Sequence, residues 1–205
     1  MIDDLATRLT RAARAVTTSA EPPFDAERAA RLGLVDVAFV EHDSPIGPLL
    51  LAATDVGLVR VSFGPEDPDD VLDELSARVS PRVLRVPRRL DRARRTLDRY
   101  FAGRGDLDDL AVDLRLATGF RRDVLDTLRR EVPLGTTITY LGLAARAGKP
   151  RAARAVGTAM AQNPVPLVVP CHRVVPSGGG VGSYGGGPER KAALLALEGA
   201  ALELG

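Results

Sequence analysis

Residues 165–175 read VPLVVPCHRVV and hold the only cysteine of the 205-residue chain, beside one of only two histidines. A cysteine attacks as the thiolate, so a base or a positive field near it is what makes it reactive. His172 can supply the base, and Arg173 with a helix N-terminus the field. Pro170 constrains the backbone just before the sulfur. In a strand, neighbouring side chains point to opposite faces, so Cys171 and His172 would meet through a bridging water if the chain turns here. A buried carboxylate could orient the imidazole, and Glu198, in the otherwise apolar run LLALEGA, is the best-placed candidate. Plainer readings stand beside these. A lone cysteine in an aliphatic run is commonly a small core residue, and a glutamate near a helix end is commonly part-exposed.

Directly downstream, seven glycines fall within residues 176–188, around Tyr184. Glycine lets backbone approach a ligand closely and present N–H groups to it. Such runs also serve as plain linkers, but this one follows the cysteine at once, which favours a lid over a pocket. It lacks the Lys-Ser/Thr ending of a phosphate-binding loop.

Several elements must position these groups. Ile2, Leu5, Leu9, Ala12 and Val16 fall at helical spacing, so the first sixteen residues are predicted to be an amphipathic helix. A linker follows, with Asp25 as cap of a second short helix. Alternating Val35, Val37 and Phe39, then LLLAAT and LVRVSF, predict three strands joined by SPIGP and DVG turns. DVLDELSARV and LDRARRTLDRYF predict two helices, and LAVDL a further short strand. From Gly119, residues Phe120, Val124, Leu125, Leu128 and Val132 share one helical face, which Pro133 and Gly135 end. LGLAARAG and KPRAARAVGTAMAQNP, with a tight turn at Gly148, predict a helix-turn-helix, for which an ordinary helical hairpin is the alternative. VPLVVP is predicted to be strand-like, and ERKAALLALEGA a terminal helix.

Composition narrows the functions. Hydrophobic residues make up 45% of the chain, enough for real cores. Residues 117–205 carry eleven Lys or Arg against six Asp or Glu, whereas the rest carry seventeen against twenty-one. Only the C-terminal part is therefore expected to meet an anionic partner. One cysteine can form neither an internal disulfide nor a cysteine-rich zinc site, and a reducing cytoplasm is the expected compartment. No apolar run approaches the ~20 residues of a membrane span, and the acidic start of the chain is unlike a signal peptide. Absent tryptophan argues against a stacking groove for single strands.

Taken in order and spacing, RAVGTAMAQNPVP, VPCHRVV and GGVGSYGGGPERKAALLALEGA resemble the O6-alkylguanine-DNA alkyltransferases, also called methylated-DNA–protein-cysteine methyltransferases. SPIGPLLLAATDVGLVRVSF and LDRYFAGR are similar to that family's N-terminal domain, so the resemblance runs from about residue 35 to the end. It implies an α+β protein: an N-terminal helical extension over 1–34, a ribonuclease-H-like domain over 35–116, and a winged-helix domain over 117–205 that carries the chemistry. It implies direct reversal of O6-alkylguanine in double-stranded DNA, one transfer per molecule, by a monomer with no cofactor and no metal. Zinc-binding relatives need further cysteines, which this chain lacks.

By residue, the resemblance makes Cys171 the alkyl acceptor. His172 takes the thiol proton through water, with Glu198 behind it, and Asn163 braces the turn before the acceptor. Tyr140 donates to the guanine ring as it leaves, stabilising developing anionic charge. Backbone N–H groups around Tyr184 and Gly185 would meet the lesion oxygen, and carbonyls near Cys171 and Val174 the exocyclic amine. Arg154 would fill the gap left by a flipped nucleotide, an extrusion that costs a few kcal/mol. Ala155 and Gly157 keep the second helix slim enough for the minor groove, and Lys149 and Arg151 are phosphate contacts. Three departures stand out. Arg121 and Leu125 occupy places where the family usually has a phenylalanine-glutamine pair and a tryptophan, and Leu141-Gly142 follow Tyr140 where glycine and an acid are common. Two rival readings remain: a cysteine hydrolase using Cys171, His172 and Glu198, and a non-catalytic winged-helix lesion binder.

Overall fold

The computed structural model describes residues 25–64 and 66–200, so the predicted helix over the first sixteen residues lies outside them. Asp25 caps helix α1 (Ala26–Arg31) by accepting from the Arg28 N–H at 2.9 Å. Strands β1 (Val37–His42), β2 (Leu49–Ala53) and β3 (Leu58–Phe63) form an antiparallel meander, as the three runs and the turns between them predict. A strand missing from the sequence reading, β4 (Val83–Arg85), adds parallel to β1, giving the order β3-β2-β1-β4. Three residues are too few to show a period of two. The expected LAVDL strand does not form. Only Val112 bridges to Leu58, and Asp113 turns to accept from Thr54 Oγ1 (2.7 Å) and from Arg115. Gly57 is required where this segment passes, because a Cβ there would lie 2.4 Å from the Ala111 carbonyl.

Both faces of the sheet are buried. Helix α2 (Pro68–Arg78) sets Val71, Leu72 and Leu75 against Val37, Leu50, Ala52, Val59 and Val83. On the other face, Ala38, Val40, Leu49, Leu51 and Val61 join Leu90 and the inner side of α3 (Asp91–Phe101), namely Ala93, Leu97 and Tyr100. That second core does not stop at the domain junction. It continues through Val124, Leu125 and Leu128 of α4 (Gly119–Glu131) to Leu143, Val156, Val169, Cys171 and Leu194. At ~1.5–3 kcal/mol for each large aliphatic side chain buried, this shared interior locks the two halves together.

The C-terminal half is helical, as predicted: α4, then α5 (Tyr140–Arg146) and α6 (Ala153–Ala161) as a helix-turn-helix, and α7 (Pro188–Leu197). Gly148, at φ 78°, makes the turn after α5. A two-residue strand β5 (Ile138–Thr139) pairs in parallel with β6 (Val174–Val175), joining the entry of α5 to the segment after Cys171. Thr139 caps α5 by accepting from the Gly142 N–H at 3.0 Å, so the helix starts at Tyr140 despite the glycine behind it. Among the described residues, no helix is long and apolar enough to cross a membrane.

Candidate active site

VPLVVP is not a strand, although its valines suggest one. Pro166 and Pro170 withdraw two of the N–H groups a ladder needs, and the chain turns instead. Asn163 Nδ2 donates to the Val169 carbonyl at 2.8 Å, and its Oδ1 accepts from the Val165 N–H at 3.1 Å. Within this braced turn Leu167 is held at φ 73°, a conformation costing ~1–3 kcal/mol for a non-glycine residue and offset by burial of its side chain. Cys171–Arg173 then form a single 3-10 turn. The strand geometry expected at Cys171 and His172 is therefore replaced by a helical corner.

Cys171 lines a cleft of about 220 Å³ with Met160, Asn163, Tyr184 and Gly185 from the C-terminal half and Val61, Phe63 and Arg60 from β3. Burial pushes its thiol pKa up, while the Asn163 side chain, the Lys191 charge, a backbone N–H and the Tyr184 hydroxyl oppose that rise. The Tyr184 hydroxyl makes no hydrogen bond of ordinary geometry, yet it stands close enough to the sulfur to lower the thiol pKa. Its ring packs edge-on to Phe63, with centroids 5.7 Å apart. Tyr140, at the first position of α5, is half-buried, and its phenol pKa is raised by burial and by the charge of Cys171.

Glu198 sits at the end of α7 and is buried, unlike the part-exposed glutamate of the plainer reading. His172 Nε2 lies 2.9 Å from its Oε1. An ionised carboxylate only accepts, so Nε2 carries the proton and Nδ1, buried and without a protein partner, keeps its lone pair. Burial lowers the His172 pKa against the raising effect of Glu198, so the resting pair is thiol and neutral imidazole. Arg173 is not the field-giver at the sulfur that its position suggests. Its Nε and Nη2 donate to Glu198 at 2.8 and 2.9 Å and its Nη1 to the Val132 carbonyl at 2.7 Å. Burial alone would raise the Glu198 pKa, but the bonds from His172 and Arg173 outweigh it and hold it at about 2.

Sequence reasoning missed two further groups here. Tyr100 of α3 donates to Glu198 Oε1 at 2.7 Å, across 98 residues of chain; nothing local marks it. Lys191 is fully buried, and its Nζ donates to the Val174 carbonyl at 2.6 Å and, more loosely, to that of Ser183 at 3.4 Å. Burial lowers its pKa to about 8. Lys191 shares the face of Leu194, Leu195 and Glu198 at helical spacing, a signal that was readable. It also occupies one lone pair of the Val174 carbonyl, which leaves one for a ligand. The glycine loop stays close by: a Cβ on Gly182, at φ 71°, would lie 2.9 Å from the Pro176 ring.

The other expected residues lie apart from this cluster. Arg154 and Ala155 are exposed on α6, with Gly157 part-exposed beside them. A Cβ at Gly157 would meet open space, so packing does not require the glycine. Arg151 and Lys149 are exposed in the turn before α6, and the Lys149 ammonium lies over the Phe120 ring, 4.4 Å from its centroid. Arg121 bonds the Leu116 carbonyl and Gln162, and Leu125 is core, so these two of the three departures serve contacts within the chain.

Residues 38–115 match the model of the 6-O-methylguanine DNA methyltransferase ribonuclease-like domain, and residues 119–200 that of the DNA binding domain. Methylated-DNA–protein-cysteine methyltransferases of Homo sapiens and Mycolicibacterium paratuberculosis are 39% and 40% identical over 77% and 76% of this chain and 78% and 88% of theirs. The chain belongs to the 6-O-methylguanine DNA methyltransferase family. Among solved structures of that family, the Mycobacterium tuberculosis O6-methylguanine methyltransferase superposes with a TM-score of 0.68 at 37% identity, covering 80% of this chain and 93% of its own. The Mycobacterium tuberculosis protein solved in complex with DNA gives 0.67 at 37% identity, over 80% of this chain and 92% of that one.

Proposed function

We propose that this chain repairs DNA by direct reversal, moving the alkyl group of O6-alkylguanine in duplex DNA irreversibly onto Cys171 Sγ, once per molecule. The observation that carries the reading is Cys171 in an open cleft, beside a neutral imidazole whose far nitrogen is held by the buried Glu198. The Cys171 proton passes through a water to His172 Nδ1. The sulfur attacks the alkyl carbon, the C–O bond breaks, and the electron pair goes to the guanine. Donation from Tyr140 and from backbone N–H groups near Tyr184 and Gly185 stabilises that anion. Asn163 keeps the corner rigid, and the free lone pair of the Val174 carbonyl meets the exocyclic amine. The thioether product is inert, so the acceptor is not regenerated. No cofactor enters the reaction.

On the DNA side, Arg154 takes the gap of the flipped nucleotide, Ala155 and Gly157 allow close approach to the minor groove, and Arg151 and Lys149 meet phosphates. Lys149 can do so only by leaving the Phe120 ring, so Arg151 is the stronger contact. We place the domain boundary between residues 116 and 117 and take the active form to be a monomer. A duplex labelled on the O6-methyl of guanine tests the reading: one methyl should appear on the peptide containing Cys171, and none in Cys171→Ala. Repeated product release would favour the hydrolase, and repair surviving in Cys171→Ala would end the proposal.

A further inference from the structure

Glu198 Oε1 receives three donors: Tyr100 Oη at 2.7 Å, His172 Nε2 at 2.9 Å and Arg173 Nη2 at 2.9 Å. The other oxygen receives Arg173 Nε alone, at 2.8 Å. A carboxylate offers about two lone-pair sites per oxygen, so the three donors share two sites on Oε1 and Tyr100 and His172 compete there. Glu198 is ionised, with no proton to give, and Tyr100 must therefore be the donor. The phenol is 2% exposed and reaches Glu198 from α3 on the sheet side, while every other member of the cluster comes from the helical half.

We infer that Tyr100 is a positioning residue for the alkyl transfer proposed above: its hydroxyl competes with His172 for one oxygen of Glu198 and so limits how strongly that carboxylate holds a proton on the imidazole. The sheet-bearing half thereby sets the basicity of a base it does not contain. Too strong a pull from Glu198 would keep His172 protonated and unable to accept the Cys171 proton. The other charged or titratable groups around the pair are Arg173 and Lys191, both of which disfavour imidazolium, with Cys171 and Tyr184 on the cleft side. Burial, followed by the Glu198 charge, raises the Tyr100 pKa far above its ordinary value, so the phenol keeps its proton and donates throughout the working range.

The test uses the full chain. Tyr100→Phe removes only the oxygen, and 3-fluorotyrosine at position 100 makes the phenol a stronger donor at nearly the same size. Single-turnover transfer is followed against pH, together with the ¹⁵N titration of His172, which only His42 accompanies in the spectrum. In Tyr100→Phe, the acid-limb midpoint and the His172 titration should both rise by about half a pH unit, the scale of one modest hydrogen bond. The fluorinated protein should move both the other way. Profiles that superimpose while only the melting temperature falls would overturn the inference, as would shifts of the same sign in both variants. The titration needs no lesion, so a parent protein that takes up no methyl would count against the transfer reading and leave the Tyr100 result standing. If Tyr100→Phe does not fold, the fluorinated protein decides alone.

Discussion

Around Glu198, four hydrogen bonds from three side chains are satisfied inside the protein. Along the outer side of α6, Arg154 has no side-chain partner among the described residues, and Gly157 faces open space. The first region is preorganised, so its geometry can be read directly. The second is recognisable by what it lacks: small and basic groups with nothing in the chain to explain them. A site for chemistry and a surface for a partner thus leave opposite marks, and mutations should separate them.

Glu198→Gln should break the buried region hardest. It removes the negative charge behind the imidazole and leaves the Arg173 charge uncompensated. Single-turnover transfer should fall by about 10²- to 10⁴-fold, the usual worth of a positioned base, while affinity for undamaged duplex stays within about twofold. Equal losses in both would mean that the two regions are not separable. Arg173→Met should lower stability by about 3–5 kcal/mol, as when one partner of a buried ion pair is removed, read by urea denaturation. Arg154→Ala should slow transfer from duplex DNA by about 10- to 100-fold, reflecting the few kcal/mol of base extrusion, and spare transfer from a single-stranded oligonucleotide. The smallest effect is expected for Arg151→Ala, a loss of about one unit in the slope of log affinity against log salt.

Acid should expose the same contrast. The Glu198 pKa is depressed from 4.5 to about 2 in the folded chain. Its contribution, about 3 kcal/mol, is full above pH 4.5 and lost as pH falls from there towards 2. His172 is also depressed, from 6.5, so stability should begin to fall below that pH as the unfolded chain takes up the proton that the buried imidazole refuses. Urea midpoints measured from pH 7 to 3 should therefore decline in two stages, and Glu198→Gln should erase the lower one.

The meander, the helix pair and the acceptor cluster were largely legible, for different reasons. Val37, Phe39 and their partners read as strands from their β-branched and aromatic residues, and β2 is apolar throughout because both sheet faces are covered. Cys171, His172 and Glu198 stand out as polar residues in apolar runs. VPLVVP misled because β-branched residues carry strand preference while its prolines veto the ladder. Arg173 misled because adjacency to Cys171 suggested a shared task, when its guanidinium turns to Glu198. Tyr100 was hidden for a deeper reason. Its helix needs an apolar face, a tyrosine satisfies that need, and the carboxylate it meets comes 98 residues later. Periodicity records which side of an element is inside, not which distant atom waits there.

The apolar interior that runs unbroken from Leu51 under the sheet to Leu194 in the last helix bears on how such proteins can diverge. Two modules with separate cores could be exchanged between relatives like cassettes. Here a crossover near residue 116 would match foreign surfaces across the seam, so the halves are expected to have been inherited together, and a chimera made at that junction should need repacking on both sides before it folds.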